Sequence, residues 1–310
     1  VTSIAILTHY FRLTECPSDF YIPHRLKEGY GLSEDGIRYA KDNGFRLIVT
    51  VDTGINNHKE IELAREHGLD VIITDHHKSP ENLPKAFAIL NPNQPLCSYP
   101  NKHLAGVGVA FKLVHACLKR MNYDENMGKK FLKNLLDYVT LGTIADLVSL
   151  HGENRKIVAT GLKQLLQSPF PGVRTLLDQQ ILNEKITAGI IAFRVTPKLN
   201  ASGRTDHGKY SAKLLIEEDP SECRNLYAKL DNFNRERQTI EEEDIKNAIA
   251  QIESSKDHLH QRVLVVSHPS FHGGVNGIVA SKLVEKYHLP AIVFSPYDQN
   301  ILKGSARSIR

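Results

Sequence analysis

Leu47-Ile-Val-Thr-Val-Asp-Thr-Gly54 and, beyond one helical stretch, Val71-Ile-Ile-Thr-Asp-His-His77 decide the fold. Each begins as a short β-branched apolar run, the pattern of a strand buried on both faces. Between them Ile61, Leu63 and Ala64 carry helical spacing over 56–67, closed by Gly68. Upstream, Ser33 and Asp35 are suited to cap a helix that runs to Gly44. Strand, helix, strand at this spacing is a βαβ unit, which predicts a parallel sheet with right-handed crossovers. A further short strand is expected over 86–90, before the loop Asn91-Pro-Asn-Gln-Pro95.

Outward from that unit, 104–217 reads as mostly helical, with breaks near Gly152, Ser168–Gly172 and Thr196–Gly208. Val1–Phe11 also has helical character. Pro220 to about Glu253 is one long charged stretch with Leu226, Leu230 and Phe233 on a single stripe, as in a helix that joins two domains. Val263–Ser267, a glycine turn, Val275–Tyr287 and Ala291–Ser295 then form a second βαβ-like unit. The expected class is α/β: a parallel-sheet domain joined by a long helix to a smaller α/β domain.

Composition agrees with two folded domains. The 310 residues are 41% apolar and 24% charged, which excludes disordered and collagen-like chains. The net charge of +4 permits a polyanionic partner without requiring one. Cys16, Cys97, Cys117 and Cys223 form no CxxC pair, so neither a zinc site nor a disulfide framework is indicated. No apolar run is long enough to span a membrane and none follows a basic leader, so a cytoplasmic protein is the default.

Both strands of the first unit end in aspartate, Asp52 and Asp75, and His76 and His77 follow the second. Ligands of open parallel sheets bind at the carboxyl ends of the strands, and neighbouring ends lie about 5 Å apart. Carboxylate and imidazole together suit Mn²⁺, Zn²⁺ or Fe²⁺; the plainer alternative is a turn cap with solvated histidines. Asp146 stands in the apolar segment Tyr138–Leu150, where a carboxylate must be paired, protonated or on a metal. Together these groups make most of a two-metal hydrolase site.

Three glycine segments offer phosphate-binding chemistry. Asn200-Ala-Ser-Gly-Arg204 and Lys303-Gly-Ser-Ala-Arg307 each read as a small-residue turn beside a guanidinium, and His272-Gly-Gly-Val-Asn-Gly277 opens a helix. The stretch Gly203–Tyr210 imitates a P-loop, but Tyr210 stands where Ser or Thr is needed and no buried strand leads into it.

In order, Val51-Asp-Thr-Gly54, Asp75-His-His77 and Gly142-Thr-Ile-Ala-Asp146 resemble the motifs of the DHH phosphoesterases. Further segments resemble the members of that family that degrade single-stranded DNA: Ile22-Pro-His-Arg25, Gly29-Tyr-Gly-Leu32, Leu104-Ala-Gly-Val-Gly108, Glu153-Asn-Arg155 and the three glycine segments. The resemblance implies a DHH catalytic domain over 1–217, a connecting helix over 218–255 and a DHH-associated substrate-binding domain over 256–310. It implies 5′-to-3′ exonuclease activity on single-stranded DNA with two Mn²⁺ or Mg²⁺ ions, in repair and recombination, beside a helicase or single-strand-binding protein. By position, Asp52, His76 and Asp146 would hold metal, and His77 would contact the phosphate. Asp75 would orient the histidines, and Arg25, Asn200, Arg204, His272, Ser305 and Arg307 would hold the nucleic acid. The family's Asp-x-Asp-x-Asp-Gly segment is absent here and is expected just upstream of Val1; an oligonucleotide-binding domain is expected downstream. The chain therefore reads as a fragment truncated at both ends, with weak metal binding and little catalysis alone. Two other readings remain: a DHH phosphoesterase for short oligonucleotides or cyclic dinucleotides, and an inactive nucleic-acid-binding module.

Overall fold

Leu47–Val51 (β1) and Asp70–Thr74 (β2) pair in parallel, Val51 opposite Thr74, and Ala88–Leu90 (β3) joins β2 in parallel on its other side. The computed structural model describes residues 1–24, 27–177, 185–201, 203, 208–254 and 262–309. Glu34–Asp42 (α2) and His58–Glu66 (α3) cover the sheet; Ser33 caps α2 by accepting the Gly36 N–H at 3.1 Å. Ile37, Ala40, Ile61, Ala64, Leu69, Val71 and Ile73 form the shared core. Each large apolar side chain buried here stabilises the fold by about 1.5–3 kcal/mol. The expectation of burial on both faces holds for β2, where Val71 and Ile73 are buried on one face and Thr74 on the other, but not for β1. Among the described residues β1 pairs only with β2, and its Leu47 is 44% exposed.

The rest of the first unit is helical. Thr2–Leu13 (α1) buries Ala5, Ile6, Leu7 and Tyr10 against Gly106–Arg120 (α4), Glu125–Ala145 (α5) and Lys209–Ile216 (α10). Gly152–Gln164 (α6) packs on α5, and Pro171–Leu176 (α7) follows. Ala188–Ile190 (α8) continues through a π turn over Ile191–Val195 into Thr196–Ala201 (α9). The break expected over 196–208 thus starts later: Asn200 is helical, not part of a turn.

Pro220–Ser254 (α11) is a continuous helix of 35 residues. The chain divides within it into two compact units, Val1–Leu230 and Asp231–Arg310. In the second unit Leu264–Ser267 (β4) pairs in parallel with Ala291–Asp298 (β5), and Asn276–Tyr287 (α12) lies between them in sequence. Ala248 and Ile252 of α11 share a core with Leu264, Val266, Val279, Leu283, Ala291 and Val293. Lys303–Arg307, expected as a turn, lies instead in a third strand, Ile301–Arg307 (β6), antiparallel to β5. Gly304 permits that pairing, because a Cβ there would stand 2.6 Å from the Phe294 ring opposite. Fold and family expectation agree in class: α/β units, the first with a parallel sheet, linked by a long helix.

Candidate metal centre

The site is built where β1 and β2 stop. The Asp52 N–H donates to the Thr74 carbonyl at 2.8 Å, carrying the ladder one residue past β1. Asp52 then turns with φ +61°, a left-handed conformation that Asp tolerates better than most residues. Gly54 completes the turn at φ +112°, where a Cβ would press 2.5 Å from Thr50 Oγ1. The Tyr30 hydroxyl donates to the Asp52 carbonyl at 2.5 Å. On the other side Gly106, first residue of α4, leaves room for the Asp52 carboxylate, which a Cβ would strike.

Asp75, at the end of β2, is 1% exposed. Its Oδ1 accepts the backbone N–H groups of His76 (2.7 Å) and His77 (3.2 Å) and the His77 Nδ1–H at 2.7 Å. Its Oδ2 accepts the Ile55 N–H at 3.0 Å. With Nδ1 engaged, His77 keeps Nε2 for a ligand. Asn91 and Asn93 hold the carbonyls of His77 (2.9 Å) and His76 (2.7 Å). The Asp-His-His turn is thereby fixed on both sides.

His76 Nε2 lies 3.1 Å from Asp52 Oδ1 and 3.3 Å from Asp146 Oδ2. Asp52, His76 and His77 each place a ligand atom within 4.8 Å of the others. Asp52 Oδ1 and His76 Nε2 are buried, yet neither makes a well-formed hydrogen bond. A buried polar atom without a partner is costly. Two such atoms facing each other beside a second carboxylate fit a divalent cation, and the mixed oxygen and nitrogen donors fit Mn²⁺. Burial alone would lower the His76 pKa, but contact with Asp52 and the charges of Asp146, Asp52 and Asp75 outweigh it and raise it. Burial raises the Asp146 carboxyl, reinforced by Asp52 and opposed by the histidines. A cation in the cluster would reverse both tendencies.

Asp146 reaches the cluster from the end of α5. A Cβ at Gly142, one turn earlier, would stand 2.7 Å from Val107 Cγ1, so glycine lets α5 approach the start of α4. Of the residues expected to hold nucleic acid, Asn200 is exposed on α9 in the first unit. In the second, the His272 N–H donates to Asp244 Oδ2 at 2.9 Å. Arg307 Nη2 and Ser305 Oγ stand 2.8 and 3.8 Å from the Cβ position of Gly277, at the start of α12. The structure thus gathers His272–Gly277, Ser305 and Arg307 in one unit. Arg25 and Arg204 lie outside the described residues. Asn91 and Asn93 were not expected as site residues; their one sequence signal is a Pro-flanked loop directly after a strand. Tyr30 and Gly106 lie in Gly29–Leu32 and Leu104–Gly108, segments the family resemblance marked without assigning them a role.

Fold and site define the class: an α/β protein with a carboxylate–imidazole cluster, able to hold a cation, at the carboxyl ends of a parallel sheet. The profile of the DHH family, N-terminal domain, matches residues 1–143. The single-stranded-DNA-specific exonuclease RecJ of Bacillus subtilis (strain 168) is 44% identical over 316 residues, covering 100% of this chain and 38% of that protein. Its counterpart in Escherichia coli (strain K12) is 39% identical, covering 100% of this chain and 55% of that protein. The crystal structure of exonuclease RecJ bound to manganese matches with a TM-score of 0.84 and 30% identity, over 100% of this chain and 74% of that one. The chain belongs to the DHH family, in the branch formed by the RecJ proteins. It spans about half the length, or less, of the curated relatives it matches.

Proposed function

We propose that the chain carries the metal-dependent core of an exonuclease that removes nucleotides from single-stranded DNA in the 5′-to-3′ direction. The observation that carries this reading is the pair of unsatisfied buried atoms, Asp52 Oδ1 and His76 Nε2, facing Asp146 in a chain that resembles nucleases throughout. Asp52, His76 and Asp146 would hold the cations, and the manganese of the solved relative supports Mn²⁺, with Mg²⁺ as the alternative. Bound there, two divalent ions supply a water activated near neutral pH and charge stabilisation at the phosphate.

The chain's own residues do the rest. Asp75 holds His77 with Nε2 outward, so the imidazole can donate to a phosphate oxygen or to the leaving group. Asn91 and Asn93 keep the two histidines from turning away. In the second unit, Arg307, Ser305 and the start of α12 would grip the backbone phosphates; Asn200, Arg25 and Arg204 would add contacts from the first. On this reading 1–217 is the catalytic domain, 218–255 the connecting helix and 256–310 the substrate-binding domain. Repair and recombination, a cytoplasmic setting and a helicase or single-strand-binding partner follow as proposals from the kinship. Among the described residues no helix is long and apolar enough to cross a membrane.

The test is product analysis with the full-length gene product and Mn²⁺ on a long 3′-labelled single strand. Progressive shortening from the 5′ end is expected, with a duplex left intact. Cleavage confined to short oligonucleotides or cyclic dinucleotides would replace this reading with the oligonucleotide phosphodiesterase one. Metal-independent binding without cleavage would replace it with the binding-module one.

A further inference from the structure

Glu153-Asn-Arg155, at the start of α6, has no part in the chemistry described above, yet two of its side chains are drawn inward. Asn154 is fully buried. Its Nδ2 donates to two backbone carbonyls from separate segments, His103 at 2.5 Å and Ser149 at 2.9 Å, and its Oδ1 accepts from Asn101 at 3.3 Å. Both amide hydrogens are therefore used. Glu153 makes a second tie: Oε1 meets Lys112 Nζ of α4 at 2.5 Å, and Oε2 accepts the Tyr99 hydroxyl at 2.8 Å.

The two carbonyls lie beside the walls of the cation centre. His103 precedes Gly106, the residue that makes room for the Asp52 carboxylate. Ser149 follows Asp146, after a turn in which Leu147 takes φ +57°. On its helix side Asp146 is placed by the close approach of Gly142 to Val107. On its loop side, Asn154 is the fully buried side chain that ties the segment after Asp146 to the segment before α4. We propose that Asn154, backed by Glu153, is a positioning residue that sets the distance between Asp146 and the Asp52–His76 pair, and so the affinity of the centre for its cation. This rests on the metal-centre reading. Asn154 touches no ligand itself; it acts through the backbone on both sides of the gap. The residue type follows from the need: two carbonyls require two donors from one point, which a primary amide supplies and a carboxylate of the same shape does not.

The experiment is a Mn²⁺ titration of the full-length gene product, followed by the electron paramagnetic resonance signal of free Mn²⁺, with thermal melting in EDTA alongside. For Asn154→Asp the Mn²⁺ dissociation constant should rise about 10–100-fold, the range found for partners one layer out from a ligand. The Mn²⁺ concentration giving half-maximal cleavage should rise in parallel, and kcat at saturating Mn²⁺ should largely recover. A purely structural role would lower the melting temperature in EDTA but leave the Mn²⁺ midpoint of the folded protein where it was, and that result overturns the proposal. Should Asn154→Asp fail to fold, Glu153→Gln and Tyr99→Phe test the half-buried outer tie. Each is expected to raise the Mn²⁺ midpoint about three-fold, the worth of one net hydrogen bond, and an unchanged midpoint in both overturns the proposal. If wild type and Asp52→Ala bind Mn²⁺ equally, the metal-centre reading itself fails, which is a separate outcome.

Discussion

On the proposed function, the carboxylate–imidazole cluster of the first unit and the glycine segment of the second would use opposite means. In the first, side chains are the working groups and the backbone holds them still: Asp75 alone collects three backbone or ring N–H groups on one oxygen. In the second, the backbone would be the working surface, and side chains such as Asp244 and Asn276 hold it. Asp244 accepts the His272 N–H, and buried Asn276 donates to Ser295 Oγ at 2.8 Å and to the Lys303 carbonyl at 3.2 Å. Arg307 and Lys303 are the exposed charges of β6. A rigid cluster suits bond breaking, where sub-ångström placement matters. A helix start beside a guanidinium suits a grip on a repeating phosphate chain, where register must be able to slip.

The contrast predicts that damage to the two regions reads out differently. The largest effect is expected from Asp52→Ala, which removes a carboxylate shared across the centre. Cleavage should fall by about three orders of magnitude, as losses of primary catalytic groups do, while binding of a single strand measured in EDTA stays within about two-fold. Asp75→Asn comes next. It keeps the shape but turns one carboxylate oxygen into a donor facing N–H groups, and the Mn²⁺ midpoint should rise about 10–100-fold. Arg307→Ala should raise KM or the DNA dissociation constant about ten-fold with kcat nearly unchanged, and flatten the salt dependence of binding by about one charge. A fall in kcat with unchanged KM for Arg307→Ala would erase the division of labour.

A separate effect, silent at neutral pH, concerns stability. His9 of α1 stacks on Tyr138 and Phe170, and its Nε2 lies 3.0 Å from the Tyr138 hydroxyl, which itself donates to the Leu215 carbonyl. Burial, helped by the Arg12 charge, lowers the His9 pKa from 6.5 to about 4. The unfolded chain takes up a proton near 6.5 while the folded one resists until about 4, so this contribution is complete above 6.5 and lost as pH falls between the two values. The loss should approach about 3 kcal/mol by pH 4, at 1.36 kcal/mol per unit. Urea unfolding across that window should show the slope in wild type, and His9→Phe should remove its share.

Much of this was legible in the chain. The β-branched runs at 47–51 and 71–74 and the long charged stretch from Pro220 carried the α/β class, because period and length are local properties. The strand ends carried Asp52, Asp75, His76 and His77 to one place by the ordinary rule for parallel sheets. Three things were hidden. The exposure of β1 depends on which strands pair with it, which no local pattern records. Lys303–Arg307 looked like a turn because Gly, Ser and Ala are turn residues; only the Phe294 ring across the ladder explains Gly304 in a strand. Tyr30, Asn91, Asn93 and Asn154 work through backbone carbonyls; Tyr30 and Asn154 stood in segments the resemblance marked, but a side chain aimed at a distant carbonyl leaves no sign of that role in the sequence.

The central claim is that Asp52, His76 and Asp146 share a divalent cation. Anomalous diffraction at the manganese edge, from crystals grown with Mn²⁺, tests it most directly. The expected map has a peak in contact with Asp52 Oδ1, His76 Nε2 and Asp146 Oδ2 that disappears in Asp52→Ala. A manganese peak held elsewhere, with these three side chains empty, would contradict the account.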